Sequence, residues 1–354
     1  MKIGIPTEVK IHEGRVALIP DAAAELVRQG QQVYLQRGAG TLSGYGDEDY
    51  RALGVDILED ASSLYAEAEL IVKVKEPQPE EWPLLRADHL LFSYLHLAAE
   101  PALTKALLNI GLTAVAFETV TDKGRLPLLA PMSDIAGRIA VQAGTHLLHL
   151  PQGGRGVLLG GVPATERGHV VILGAGVAGG NAASLVAAMG AQVTVFDTNR
   201  EKLEQMRTLG HNVTALHPFK QSIHAAVCEA DLLIGAVLLP GEKAPHLVDA
   251  ETVKQMRPGS VIVDISVDQG GCIETTRPTN YEDPTFVWEG VLHFGVTNMP
   301  GAVPRTASQA LSAALVPYIL RLCGQDWIAE PDLVAGINVS EGEIRLFSLQ
   351  NGGL

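Results

Sequence analysis

A glycine-rich stretch, VVILGAGVAGG, carries the strongest chemical signal in the sequence. Gly174, Gly176 and Gly179 fill the pattern G-x-G-x-x-G between a β-branched run and a helical pattern. In such a turn the first glycine permits a tight bend, the second lets backbone approach a pyrophosphate, and the third allows close helix–strand contact. The N–H groups of the following residues, Val177 and Ala178, begin a helix whose positive dipole end favours phosphate. The stretch therefore predicts a dinucleotide-binding loop.

An acidic residue follows this loop at the distance that the dinucleotide motif requires. Asp197 ends the next predicted strand, QVTVFD, about 20 residues further on, where a carboxylate accepts hydrogen bonds from an adenosine ribose. Because a carboxylate repels a 2′-phosphate, the sequence favours NAD over NADP. The alternative is that the glycines form only a tight turn and that Asp197 caps the next helix.

Two basic residues in the first third of the chain are candidates for binding a carboxylate or carbonyl group. Arg15 lies in the loop-like stretch HEGRVALIP, and its planar guanidinium can hold a carboxylate by two hydrogen bonds. Lys75 lies at the end of the predicted strand LIVKVKEP. Lys73 shares its face by alternation, but ligands gather beyond the carboxyl ends of strands, which favours Lys75. A structural arginine and a solvated edge lysine are the alternatives.

Two further residues are candidates for proton transfer. His96 follows the apolar run HLLFSYLHLA, where we expect apolar surroundings to hold a neutral imidazole near its working pKa. Asp268 lies just beyond a predicted strand in VIVDISVDQGG, and the glycine pair Gly270 and Gly271 is expected to turn its carboxylate towards the nicotinamide end of the cofactor. The alternatives are a packed structural histidine and an acid that satisfies local backbone.

Alternating strand and helix patterns must position these residues. The first third contains five predicted strands: Lys2–Ile5, Gln32–Leu35, Leu70–Val74, His89–Ser93 and Thr113–Phe117. A second series contains Val170–Leu173, Gln192–Phe196, Asp231–Gly235, Ser260–Ile265 and Leu292–Val296. Helical patterns such as Asp21–Gln29, Asp60–Ala68 and Pro101–Asn109 lie between strands. This alternation predicts the α/β class, with two doubly wound Rossmann-like domains and parallel sheets.

Two long predicted helices bracket the second series. One follows Pro131, with Ser133 as its expected N-cap, and the other runs from Pro304 towards Leu322. We therefore expect a dinucleotide-binding domain at residues 130–305, inserted into a substrate domain formed by residues 1–129 and 306–354.

Composition and charge exclude several classes of protein. The 354 residues include 26 basic and 40 acidic side chains, a net charge of −14, which disfavours nucleic acid and anionic membranes as partners. Three dispersed cysteines fit neither a disulfide framework nor a zinc knuckle, and the sequence suggests no metal site. The charged first residues lack a signal-peptide core. Gly168–Phe196 has no charged residue and is long enough to span a bilayer, but its glycines indicate strand, loop, helix and strand. We therefore expect a cytoplasmic protein.

Long and uncommon strings of residues support a family assignment. The sequence resembles the alanine dehydrogenase and pyridine-nucleotide transhydrogenase family over nearly its whole length. The strings that carry the resemblance are IGIPTEVKIHEGRVALIP, KVKEP, YLHLAAE, MSDIAGRIAVQAG, PQGGRGVLLGGVP, IGAVLLPGEKAPHLV, DQGGCIETTRPT and NMPGAVPRT.

The resemblance implies a reversible, NAD-dependent oxidative deamination of L-alanine to pyruvate and ammonium. By likeness to the family motifs, Arg15 and Lys75 bind the substrate, His96 is the general acid and base, and Asp268 assists at the amine or the attacking water. The implied cofactor contacts are Ser133, Gly174, Gly176, Val177, Ala178, Gly179, Asp197, Val267, Asp268, Asn298 and Met299. The family is commonly a homohexamer.

Three other functions compete with this interpretation. The nearest is the soluble NAD-binding component of a proton-translocating transhydrogenase, which is not expected to keep His96 and is expected to carry an Arg–Gln–Asp loop in place of LPLLAPMSD. A saccharopine-type or other amino-acid dehydrogenase would take a larger substrate. A non-catalytic NAD sensor would have little use for Lys75, His96 and Asp268 together.

Overall fold

A computed structural model of the chain describes residues 1–238 and 244–346. In chain order the strands are β1 (Lys2–Ile5), β2 (Gln32–Gln36), β3 (Asp56–Leu58), β4 (Leu70–Val72), β5 (Leu90–Ser93), β6 (Thr113–Ala116), β7 (His169–Leu173), β8 (Gln192–Phe196), β9 (Val213–Leu216), β10 (Leu232–Gly235), β11 (Val261–Asp264), β12 (Thr285–Trp288), β13 (Val291–Phe294), β14 (Ile337–Ser340) and β15 (Glu343–Ile344).

The α-helices are, again in chain order, α1 (Pro20–Arg28), α2 (Asp47–Arg51), α3 (Ala61–Glu67), α4 (Pro101–Ile110), α5 (Ala130–Leu147), α6 (Val177–Ala188), α7 (Arg200–Arg207), α8 (Lys220–Cys228), α9 (Ala250–Lys254), α10 (Pro304–Leu322) and α11 (Pro331–Ala335). The segment from Ile234 to Val248, which contributes to the family resemblance, includes residues 239–243, outside the described residues. Among the helices that the structure describes, none is long and apolar enough to cross a membrane.

The chain divides into two compact units. One contains Met1–Met132 together with the described residues from Gly301 onward, and the other is Ser133–Pro300. The first boundary falls inside α5, and the second falls in a 3₁₀ turn at Met299–Ala302, just before α10. Both boundaries lie within a few residues of positions 130 and 305.

The first unit is built on a sheet in the order β15-β14-β6-β5-β4-β1-β2-β3. Pairing is parallel from β6 to β3, whereas β14 is antiparallel to both β6 and β15. Strands β4 and β5, near the middle, are buried along their whole length. Continuous apolar runs of this kind are typical of parallel strands that are covered on both faces.

The second unit is built on a sheet in the order β12-β13-β11-β10-β7-β8-β9. All pairs are parallel except the edge pair of β12 with β13. Strand β7, helix α6 and strand β8 occupy the uncharged stretch from Gly168 to Phe196, as the sequence predicted. The fold class predicted from the sequence, two Rossmann-like α/β domains, is confirmed, with antiparallel edge strands added to the parallel sheets.

Several details of the predicted elements are wrong. Ser133 is not an N-cap, because α5 already begins at Ala130 and contains Ser133 in its first turn. Pro131 lies inside the helix and does not precede it. A proline is tolerated in the first turn, because the backbone N–H groups there have no partner within the helix. Strand β4 ends at Val72 rather than at position 74. Five short strands of the described structure are not predicted by the sequence, namely β3, β9, β12, β14 and β15.

Candidate active site

Three candidate residues of the first unit follow three neighbouring strands. Arg15 lies in the segment after β1, Lys75 follows β4 and His96 follows β5, and the sheet order places β1, β4 and β5 side by side. Register pairs Gly4 with Ile71, and Ile71 with Leu91, in parallel. The three segments therefore leave the sheet at the same edge, where open α/β sheets bind ligands.

Arg15 is buried and held by a neighbouring carboxylate. Its Nε lies 2.7 Å from Glu13 Oε1 and its Nη2 lies 2.5 Å from Glu13 Oε2, while its Nη1 donates to Met132 Sδ at 3.1 Å. Burial opposes the charge of Arg15, but the hydrogen bonds and charge of Glu13 outweigh it and raise the pKa of the guanidinium. Glu13 therefore keeps Arg15 ionised and fixes the plane of its guanidinium.

The two lysines that sequence alternation could not separate have different surroundings. Lys73 is fully buried, and its Nζ lies 3.0 Å from Glu81 Oε2 and 3.3 Å from Glu8 Oε2. Lys75 is only half-buried. Burial lowers the pKa of Lys75, aided by the charges of Arg15 and Lys10 and opposed by Glu76. Lys73 thus forms ion pairs with two buried carboxylates. Lys75 is the lysine that solvent reaches.

His96 occupies a strained turn beside a carboxylate. Its backbone has φ 49° and ψ 37°, in the left-handed region that non-glycine residues rarely adopt. Glu118 accepts the N–H groups of Leu95 at 3.1 Å and His96 at 2.7 Å, and the His96 Nδ1 lies 3.8 Å from Glu118 Oε1. The imidazole stacks on Tyr94, with ring centroids 5.9 Å apart.

The predicted apolar surroundings of His96 are wrong. The side chain of His96 is 44% exposed, because the left-handed turn carries the chain out of the buried strand β5. The alternative of a packed structural histidine fails for the same reason. An exposed imidazole beside a carboxylate is accessible to a substrate and can exchange protons with it.

In the second unit the glycine loop has the geometry that its sequence requires. Gly174 has φ 100°, and a Cβ there would lie 2.5 Å from the carbonyl oxygen of Ala236. A Cβ on Gly179 would lie 1.8 Å from the carbonyl oxygen of Gly174, whereas one on Gly176 would meet nothing within 4 Å. The N-cap of α6 is Gly176, which has no side chain that could accept hydrogen bonds from the first N–H groups of the helix, those of Val177 and Ala178. The loop is tight where the chain must turn and open where a phosphate would lie.

Asp197 is tied to this loop. Its Oδ2 accepts the N–H of Ala175 at 2.7 Å, and its Oδ1 accepts the N–H of Asn199 at 2.8 Å. The N-cap of α7 is Asn199, whose side chain accepts the N–H of Lys202 at 3.0 Å, so Asp197 is not a helix cap. The half-buried carboxylate lies at the carboxyl end of β8, next to the glycine turn.

Val267 and Asp268 lie in a 3₁₀ turn, Ile265–Gln269, which follows β11. Val267 is buried and Asp268 is exposed. The turn ends at Gly270 and Gly271, whose φ values are 92° and 78°. Local backbone is satisfied not by Asp268 but by the buried Asp264, which accepts the N–H groups of Ser266 and Cys272, each at 2.9 Å. Burial outweighs these hydrogen bonds and raises the pKa of Asp264.

The remaining predicted cofactor contacts lie at other positions of the second unit. Asn298 has φ 56°, and Met299 is buried at the start of the 3₁₀ turn, where its carbonyl oxygen accepts the hydroxyl of Tyr281 at 2.9 Å. Ser133 is half-buried in the first turn of α5. Helix α5 packs closely against the glycine loop. At this contact a Cβ on Gly137 would lie 2.1 Å from the carbonyl oxygen of Ala178.

Sequence reasoning missed the acidic residues that hold the candidates in place. Glu8, Glu13 and Glu118 contact the segments of Lys75, Arg15 and His96. Only Glu13 offered a local signal, since it lies two residues from Arg15. The contacts of Glu8 and Glu118 join residues that are distant in the chain, and only the pairing of strands reveals them. Among the described residues there is no group of three or more His, Cys, Asp or Glu that could hold a metal ion.

Comparison with known protein families accounts for both units. The N-terminal domain of the alanine dehydrogenase/PNT family matches residues 4–136, and the C-terminal domain of the same family matches residues 140–346. The chain belongs to the alanine dehydrogenase/PNT family. The family membership predicted from the sequence is thus confirmed.

Individual relatives in this family match along nearly their whole length. Alanine dehydrogenase of Halomonas elongata is 48% identical over 351 residues, which cover 97% of this chain and 94% of the relative. Alanine dehydrogenase of Bacillus subtilis is 47% identical over 350 residues, 97% of this chain and 92% of the relative. A solved L-alanine dehydrogenase structure is 49% identical with a TM-score of 0.95, and the match covers 99% of this chain and 98% of that one.

A transhydrogenase from Sinorhizobium meliloti shares the fold. Its structure is 24% identical with a TM-score of 0.85, and the match covers 98% of this chain and all of that one. At this identity the likeness concerns the fold alone. The comparisons therefore establish the family and the fold of the chain. The reaction depends on the residues of the candidate site.

Proposed function

We propose that this chain catalyses the reversible, NAD-dependent oxidative deamination of L-alanine to pyruvate and ammonium. The observation that carries the proposal is the grouping of Arg15, Lys75 and His96 after three adjacent parallel strands. Two cationic side chains and one imidazole at one sheet edge suit a small substrate with a carboxylate and a carbonyl or amine. Relatives that are 47–48% identical over 97% of the chain and are named alanine dehydrogenase support the same reaction.

Arg15 and Lys75 bind the substrate in this proposal. The guanidinium of Arg15, fixed by Glu13, holds the carboxylate, and the ammonium of Lys75 donates to the carboxylate and the carbonyl oxygen. Binding at both ends of so small a molecule fixes the orientation of its Cα. The Cα–H bond is then already aligned for reaction when the substrate is bound.

His96 transfers protons. After the Cα–H bond of alanine is broken, water adds to the resulting imine and the carbinolamine collapses to ketone and ammonia, and each step moves a proton. An imidazole in this role contributes roughly 10²–10⁴-fold to rate. Glu118 accepts the backbone N–H of His96, and its Oε1 lies 3.8 Å from the His96 Nδ1. Asp268 assists at the amine or the attacking water.

The residues of the second unit fit NAD. The open space at Gly176 and the uncapped start of α6 suit a pyrophosphate, and the Asp197 carboxylate suits an unphosphorylated ribose. Ser133, Gly174, Val177, Ala178 and Gly179, with Val267, Asp268, Asn298 and Met299, complete the proposed contacts. When bound, NAD would supply the hydride acceptor for the Cα–H of alanine, and NADH would supply the hydride donor in the reverse direction.

We also propose the roles of the two domains, the location of the protein and its assembly, from the sequence and from the family. Residues 130–305 serve as the cofactor domain and residues 1–129 with 306–354 as the substrate domain. The protein works as a cytoplasmic homohexamer in the use of L-alanine, with no nucleic-acid or membrane partner.

An absorbance assay of NADH tests the reaction. Purified protein is given alanine with NAD, and in the reverse direction pyruvate with ammonium and NADH, beside a panel of other amino acids and NADP. Turnover confined largely to alanine and pyruvate, with a preference for NAD, is expected. Turnover of a larger amino acid would favour the saccharopine-type alternative. NADH binding without turnover would favour a transhydrogenase component or a sensor.

A further inference from the structure

A buried charge network lies directly behind the strand end that presents Lys75. Lys73 is fully buried, with Glu8 and Glu81 as its two carboxylate partners, at 3.3 and 3.0 Å from its ammonium nitrogen. The hydroxyl of Tyr65, also buried, donates to Glu81 Oε1 at 2.8 Å. The proposed reaction uses none of these four residues.

The carboxylates of this network bind the backbone on both sides of Lys75. Glu8 Oε1 accepts the N–H of Val74 at 2.5 Å, and Glu8 Oε2 accepts the N–H of Lys75 at 3.2 Å. Glu81 Oε2 accepts the N–H of Gln78 at 2.7 Å. Since β4 ends at Val72, the N–H groups of Val74 and Lys75 lie beyond the strand, and Glu8 takes over as their acceptor.

Stability alone is a poor reason for such a network. Burial of one ammonium and two carboxylates carries a desolvation cost that their mutual attraction often only balances, and apolar residues of similar volume are frequently as stable. What the network does supply is a fixed position for the chain. Charge-assisted hydrogen bonds to backbone N–H groups are short and directional, and here they fix the residues before, at and after Lys75.

We infer that Lys73, Glu8 and Glu81 are positioning residues that hold the Val74–Gln78 segment so that the Lys75 ammonium meets the carboxylate and carbonyl oxygen of a small 2-oxo acid. Lys73 keeps both carboxylates in place by its charge, and the carboxylates in turn hold the backbone. This inference depends on the proposed function, because it assigns Lys75 to the substrate.

The substitution Glu8→Gln tests the inference. The amide keeps the size of the side chain, but it removes the negative charge that faces Lys73. It also turns an NH₂ group towards one of the two backbone N–H groups that donate hydrogen bonds to Glu8. We expect the KM for pyruvate to rise about tenfold, the loss of roughly one charge-assisted hydrogen bond. The kcat should change less than about twofold, and the Kd for NADH should not change. A wild-type KM in a folded Glu8→Gln variant overturns the inference.

A double-mutant cycle separates positioning from general damage. If Glu8 acts through Lys75, Glu8→Gln should have little further effect on the pyruvate KM once Lys75→Met has removed the ammonium. Additive effects of the two substitutions would contradict the inference. The matched control is Asp332→Asn, which removes a partly buried carboxylate of the same unit that pairs with Arg321, and it should leave the pyruvate KM unchanged.

The milder substitution Tyr65→Phe decides the matter if Glu8→Gln does not fold, as judged by NADH binding and thermal unfolding. It removes only the hydroxyl that holds Glu81, and we expect a two- to threefold rise in the pyruvate KM with unchanged NADH binding. A wild-type KM in Tyr65→Phe would then overturn the inference. Failure of the proposed function is distinct, since in that case the wild-type protein itself would not convert alanine and pyruvate.

Discussion

Lys75 combines a half-buried ammonium with neighbours of both charge signs. Burial, together with the positive charges of Arg15 and Lys10, disfavours its protonated form, and Glu76, which forms an ion pair with Lys10, partly compensates. A lysine in such a position loses its proton more readily than a solvated one. The contribution of Lys75 to the proposed binding of an anionic substrate should therefore depend on pH within a range where an ordinary lysine stays charged.

The affinity for pyruvate should consequently fall as pH rises through the lowered pKa of Lys75. The ammonium is present below that pKa and lost above it, so the fall begins at a lower pH than the usual lysine value of 10.5 allows. The measurement is the Kd of pyruvate for the enzyme–NAD complex across alkaline pH. The guanidinium of a Lys75→Arg variant does not titrate there, so its profile should be flat. Identical profiles for the two proteins would remove Lys75 from the binding of pyruvate.

Removal of the imidazole should separate catalysis from cofactor binding. We expect His96→Ala to lower kcat by about 10²–10⁴-fold, because the methyl group of alanine cannot transfer the protons that the imidazole transfers in the proposed reaction. NADH affinity should stay at the wild-type value, since the glycine loop belongs to the other unit. Steady-state kinetics together with a fluorescence titration of NADH measures both. A wild-type kcat would refute the acid–base assignment.

Asp197 should determine the choice between the two nicotinamide nucleotides. Its carboxylate accepts the N–H of Ala175 in the glycine loop, and in the proposed NAD site its negative charge would repel a 2′-phosphate. Asp197→Ala should therefore weaken NAD binding and narrow the preference for NAD over NADP. The ratio of kcat/KM for the two nucleotides is the measurement, and an unchanged ratio would contradict the ribose contact.

At the scale of elements, the tight turn from β7 into α6 depends on one contact between glycines. A Cβ at position 179 would lie 1.8 Å from the carbonyl oxygen of Gly174, which is backbone and cannot move aside alone. At the next position, Gly180, a Cβ would lie 3.5 Å from the flexible end of Met206, an ordinary contact. Two adjacent glycines of one helix therefore have different structural roles.

Alanine substitutions at these two glycines should differ in their effect on NADH affinity. Gly179→Ala should displace the loop and reduce NADH affinity strongly. Gly180→Ala should keep NADH affinity and raise the stability of the protein by about 1 kcal/mol or less, because alanine favours helix over glycine. NADH titration and denaturant unfolding of both variants provide the comparison. Equal NADH affinity in the two variants would contradict the packing described here.

The sequence predicted buried elements better than exposed ones. Apolar runs such as those of β4, β5 and β10 identify central parallel strands, because only strands covered on both faces lack polar alternation. Strands β9 and β12 lie at sheet edges with partly exposed residues, and β15 has only two residues, so none carries such a signal. The sequence predicts Ser133 as an N-cap, because sequence alone does not distinguish a serine before a helix from one in its first turn.

In the molecule as a whole, the candidate site residues that follow strand ends could be predicted from the sequence. The acidic residues that hold them in place could not. Arg15, Lys75 and His96 follow strands that the sequence identifies, and parallel pairing brings those ends to one edge. Glu8 and Glu118 lie 67 and 22 residues from the backbone groups that they hold, Lys75 and His96. Nothing in their local sequence specifies those contacts, which exist only once β1, β4, β5 and β6 have paired.

In the proposed reaction a hydride passes from the Cα of L-alanine to the nicotinamide of NAD. The most direct measurement is mass spectrometry of the NADH formed from L-alanine that carries deuterium at Cα. We predict one deuterium in the nicotinamide ring of each NADH and one pyruvate for each NADH. Unlabelled NADH, or hydride exchange between nucleotides without alanine, would contradict the account.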